Sequence, residues 1–122
     1  MKPETIMLEK IREIVPSNSD RNIFFAAITQ TSYEVFFYSF IDGMPKQCFS
    51  LAEEGLLDAN ALDSTFEFIV NTIKGSKIFK PDKLNIATIY YDKACLKMDT
   101  DHYDNDVRLY KIKKDWLRKN IS

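Results

Sequence analysis

The chain has 122 residues, 45% hydrophobic and 29% charged, the profile of one globular domain with enough apolar mass for one good core. Seventeen basic residues against eighteen acidic ones leave a net charge of −1, which argues against a general nucleic-acid binder. No apolar run approaches the ~18 residues needed to cross a bilayer. The opening Met-Lys-Pro-Glu lacks the apolar stretch of a secretory signal, so a cytoplasmic protein with no membrane partner is expected.

Met7, Leu8, Ile11, Ile14 and Val15 recur at helical spacing and Pro16 stops the pattern, which predicts an N-terminal amphipathic helix of about three turns. Asn22 to Gln30 reads as the first strand, and Thr31-Ser32 is short enough to make a hairpin. Tyr33 to Phe40 comes next, reading Tyr-Glu-Val-Phe-Phe-Tyr-Ser-Phe. Its aromatic and β-branched side chains suit a pleated, packed surface better than a helix. Neither parity is cleanly polar, which predicts the central strand of a sheet covered on both faces. Asp42-Gly43 is the clearest turn signal, with a third strand expected near Lys46 to Leu51.

Ala52 to Asn60 reads as a loop, with Asp58 or Asn60 placed to cap a second helix. Leu62, Phe66, Ile69, Val70 and Ile73 form one apolar stripe on that helix, closed by Gly75 in the C′ position. After Pro81-Asp82 comes a second hairpin, with Leu84 to Tyr91 and Ala94 to Thr100 as arms and Asp92-Lys93 as the turn. In its second arm Ala94, Leu96 and Met98 alternate against Cys95, Lys97 and Asp99, so one side is expected to be wet. An acidic segment holding Asp99, Asp101, Asp104 and Asp106 then leads into a last helix from about Asn105, with Leu109, Ile112 and Trp116 as its buried stripe. Aspartates before its first turn and Arg118 and Lys119 in its last complement the helix dipole.

The order is helix, three strands, helix, two strands, helix. Short hairpins and segregated helices predict an α+β fold with an antiparallel sheet of about five strands, a single domain over residues 1–122.

Chemistry is harder to find. His102 is the sole histidine, and a Cys95–His102 nucleophile–base pair has no third group to orient it. Cys48 and Cys95 read as buried thiols in strands, with a disulfide as the alternative. The aspartate run resembles a hard-cation loop, but it lacks the glycine and distal glutamate of a calcium-binding hand, and zinc needs more His or Cys. A solvated helix-capping turn or a protein-contact patch suits it better. The three glycines are isolated, so no phosphate cradle is expected. The basic face of the last helix reads as solvated before it reads as phosphate-binding. No catalytic residue, metal site or cofactor is expected, and the balance tilts towards a binding module.

Three stretches resemble the YezG-like family of bacterial immunity proteins. They are Ser32-Tyr33-Glu34-Val35-Phe36-Phe37-Tyr38, Lys83-Leu84-Asn85-Ile86-Ala87-Thr88, and the acidic run Leu96-Lys97-Met98-Asp99-Thr100-Asp101-His102-Tyr103-Asp104 leading to a helix with Trp116. His102 stands inserted before Tyr103, and Thr100 replaces an aromatic residue. The resemblance covers nearly the whole chain in order. It implies a toxin-neutralising protein with no catalysis of its own, whose partner is a cognate toxin domain. Charge clustering and loop position give the candidate contacts: Asp99, Asp101, Tyr103, Asp104 and Asp106, with Asp42, Glu53 and Glu54 as a second set on loops. Rival readings are a scaffold or oligomerisation domain, or a small enzyme or nucleic-acid accessory factor using Cys95, His102 or the basic helix.

Overall fold

A computed structural model describes residues 3–92 and 95–121; the expected turn residue Lys93 and the neighbouring Ala94 lie outside the described residues. The elements in order are α1 (Pro3–Ile14), β1 (Arg21–Ile28), β2 (Tyr33–Ile41), β3 (Met44–Gln47), α2 (Cys48–Glu53), α3 (Ala59–Lys74), β4 (Leu84–Asp92), β5 (Cys95–Tyr103) and α4 (Leu109–Asn120). The five strands form one sheet in the order β3-β2-β1-β4-β5, antiparallel throughout. The α+β expectation holds.

The centre of the sheet is β1, not the aromatic strand. Asn22 to Ile28 are buried in an unbroken run, and β1 pairs along its whole length with both β2 and β4. β2 lies one place nearer the edge and keeps Glu34, Tyr38 and Ile41 only half-buried. Aromatic density therefore marked an interior strand, while continuous burial of smaller residues marked the middle one.

Alternation sorts the residues onto two faces. Phe24 stacks on Phe37 at 4.5 Å, and Phe37 meets Phe66 of α3 edge-on at 6.2 Å, so this face packs under α1 and α3. On the other face Phe25 stacks on Phe36 at 5.0 Å, and both meet the ring of Trp116. Each such buried ring contributes about 1.5–3 kcal/mol of hydrophobic stabilisation. α4 therefore straps the second face. Its Trp116 Nε1 donates to Thr88 Oγ1 at 2.8 Å, and Tyr90 donates to Asn120 Oδ1 at 3.2 Å. Lys113 Nζ stands 2.9 Å from Glu34 Oε2. That oxygen is sealed from water and met outside hydrogen-bonding geometry, so the attraction is chiefly Coulombic.

Two connections differ from expectation. β3 stops at Gln47, and the chain turns into a short helix where strand and loop were expected. The Gln47 side chain caps it by accepting from Phe49 N–H at 3.2 Å, and Cys48, expected in a strand, is its first, buried residue. Where β3 ends, the next donor of β2, Phe37 N–H, points at Cys48 Sγ at 3.5 Å. Burial pushes that thiol's pKa up, so it stays protonated. The helix closes with Gly55 at φ 78°, its N–H donating to Ala52 C=O while Leu56 N–H donates to Leu51 C=O, the paired bonds of a Schellman ending. Gly75, expected at C′, closes α3 one place earlier, as its C-cap, at φ −81°. Asp58 caps α3 by accepting from Asn60 N–H at 2.9 Å.

Buried Asn85 ties the loop before β4 to the sheet. Its Nδ2 is shared among the carbonyls of Ile28, Lys80 and Lys83, and its Oδ1 accepts from Lys80 N–H at 2.9 Å.

Candidate partner-binding site

The acidic segment is a strand before it is a loop. β5 runs to Tyr103 and pairs residue for residue with β4, from Asp92↔Cys95 to Leu84↔Tyr103. Asp99, Asp101 and Tyr103 therefore share a parity with Cys95 and Lys97, on the side of the sheet that α4 covers. Together with Lys111, Asp115 and Lys119 of α4, these acidic and tyrosine side chains border a groove of about 370 Å³ floored by Ile86, Thr88 and Tyr90. Asp99 and Asp101 are exposed and Tyr103 is half-buried. Burial pushes the Tyr90 hydroxyl pKa up, and the Asp99 charge adds to the shift.

Asp104 and Asp106 lie in the turn after β5. Asp104 is bonded to Lys83 Nζ, and that partner holds its carboxyl below the usual carboxylate value while raising the Lys83 ammonium. Asp106 is exposed. Neither caps the last helix: the N-cap is Arg108, with no side-chain bond, and no acid stands in the first turn. The capping explanation for the aspartates thus fails, and the helix begins later than expected.

The second set stands at the far edge. Asp42 occupies the β2–β3 turn with φ 53°, next to Gly43 at φ 76°. Paired positive φ values make a type I′ hairpin turn, in which Asp-Gly is a preferred pair. Glu53 ends α2 and Glu54 is its C-cap, so these two sit at a helix end rather than on a free loop. Acids there oppose the helix dipole, so helix stability does not account for them. Four strand spacings of ~4.8 Å put this edge about 19 Å from β5, so the two acid sets do not form one patch.

The remaining candidates separate. Cys95 is exposed and Cys48 buried, both free thiols, which corrects the buried assignment for Cys95. Cys95 and His102 sit at opposite ends and on opposite sides of β5, about 23 Å apart at ~3.3 Å per residue. His102 Nε2 is 2.8 Å from the Ile78 carbonyl; a carbonyl only accepts, so that nitrogen carries the proton and does not act as a base. No group of three or more metal-binding side chains is gathered among the described residues, and no helix there is long and apolar enough to cross a membrane.

Exposed apolar groups also stand on α4 and near the β3 edge. Tyr110, at the second position of α4, is 76% exposed, and Met44 and Leu56 are 62% and 58% exposed near the β3 edge. Tyr110 was legible in part, because it falls off the Leu109, Ile112, Trp116 stripe. No known protein-family model and no curated protein matches this chain.

Proposed function

We propose that this protein is an immunity protein that binds a cognate bacterial toxin, of the nuclease type, and neutralises it by covering the active cleft. The observation that carries the reading is the row of exposed carboxylates, Asp99 and Asp101 on the terminal strand and Asp106 in the turn beyond. A cleft that holds nucleic acid is lined with cations that neutralise phosphates, and an acidic row matches that charge. Tyr103 supplies aromatic surface beside it, and the exposed Tyr110 on α4 adds a second ring, the residue type that most often anchors a protein interface. The resemblance of the chain to the YezG-like family supports the same reading.

Occlusion requires fit and charge, with no turnover by the binder. Steering by the acids speeds capture and fades with salt, while desolvated aromatic contacts slow release. The protein acts where such toxins attack nucleic acid, in the cytoplasm.

A toxin-domain reading frame beside this one is the expected genomic finding, and co-expression with that toxin tests the reading. Growth is rescued by the unaltered chain, and an Asp101→Lys, Asp106→Lys variant that stays folded loses rescue and binds at least about tenfold more weakly, the effect of reversing two charge contacts. Unchanged binding by that variant sinks the acidic patch as the contact.

A further inference from the structure

We infer that β5 pairs with β5 of a second copy of this chain, centred on Met98, to make a two-fold dimer with one continuous ten-stranded sheet. This dimer does not rest on the toxin reading, but it engages Asp99 and Asp101 of the same row, so in the dimer a toxin would meet chiefly Asp106 and the turn after β5. β5 is nine residues long, pairs on one side only, with β4, and holds no proline. Its outer side therefore presents backbone donors and acceptors along its length.

Charge and the length of strand overlap together select the occupant and the register. In an antiparallel pair, residues directly opposite share a face of the sheet. Centring a self-paired β5 on Lys97 opposes lysine to lysine, and centring it on Asp99 opposes aspartate to aspartate. Centring on Thr100 sets Asp99 against Asp101 twice. Centring on Met98 sets Lys97 against Asp99 on both sides of the axis, with no like-charged pair between Cys95 and Asp101. The sequence Lys97-Met98-Asp99 is thus complementary to its own reverse, as an isologous contact requires.

The other face fits as well. Leu96 and Met98 line an apolar cleft of about 400 Å³ with Met7, Leu8, Ile73 and Ile89, and Met98 is 39% exposed there. In this register Met98 meets Met98 and Leu96 meets Thr100, so the two clefts adjoin across the axis and each closes the other's open side. Asp106 and Tyr110 lie outside the paired segment and remain available to a different partner.

Sedimentation equilibrium over a range of protein concentration tests the dimer, with circular dichroism confirming that each variant is folded. The unaltered chain is expected to dimerise with concentration. Lys97→Asp and Asp99→Lys each raise the dissociation constant about tenfold, because one change converts two symmetric attractions into repulsions. The double exchange Lys97→Asp, Asp99→Lys restores it, since the pairs are rebuilt with signs swapped. In a Cys95→Ser background, Met98→Cys gives a disulfide-linked dimer on mild oxidation, because only the Met98 register brings that position against itself. A chain that stays monomeric at every concentration overturns the inference. So does a folded double exchange that fails to recover, or protection of residues 95–101 from amide exchange only when a toxin or another protein is bound.

Discussion

At one edge of the sheet β3 is four residues long, carries Pro45 and runs directly into α2; at the other, β5 runs nine residues and pairs with β4 alone. The first edge is closed by backbone means. Pro45 donates nothing, and the donor beyond the end of β3, Phe37 N–H, is met by the sulfur of Cys48. The second edge is guarded only by side chains, through the charges of Lys97, Asp99 and Asp101. A backbone block refuses every strand alike, whereas a pattern of charges refuses most and admits the one that complements it. The open, charge-coded edge is thus the one equipped for recognition.

The largest test of this contrast removes what both edges share. Phe37 is fully buried between Phe24 and Phe66, so Phe37→Ala is expected to cost about 3–5 kcal/mol in urea unfolding. It abolishes partner binding only by unfolding the protein; a folded Phe37→Ala variant that has lost its partner places β2 in the interface and breaks the contrast. Next in size, Gly55→Ala strains the left-handed ending of α2. A Cβ there meets nothing within 4 Å, so the cost is conformational, about 1–2 kcal/mol. Hydrogen exchange then quickens at the β3 edge and not at β5, and equal quickening at both shows that α2 is not a local cover.

The smallest effect is on pH. Asp104 titrates below its ordinary value, so what its pair with Lys83 contributes is fully present above that ordinary value and is lost as pH falls through the lowered one. Lys83 titrates above its ordinary value, so the same contribution is lost again as pH rises through the raised one. Amide exchange in the turn after β5 is expected to follow these two limits, with the step removed by Asp104→Asn. Both groups are exposed, so global stability moves little.

Periodicity made the large elements legible. The stripes of α1, α3 and α4 and both hairpins follow from residue spacing alone, because one face of each must be buried. What escaped was decided by tertiary partners. Cys48 to Glu53 folds as a helix although its composition suits a strand, because Gln47 caps it and Gly55 ends it. The last strand is expected to stop at Thr100, yet it runs on through Asp101, His102 and Tyr103 because β4 offers a full ladder. The candidate acids were legible as charges. Their division between two edges was not, since strand order is a property of the whole sheet. Asn85 has no local sequence signal for its role, which exists only once Ile28 and Lys80 are brought beside it.

The strap formed by α4 bears on how the chain is made. Trp116 seals a face built from Phe25, Phe36 and Thr88, and it is synthesised after all five strands. A nascent chain therefore displays that aromatic face bare until α4 leaves the ribosome, an interval in which exposed apolar surface invites aggregation.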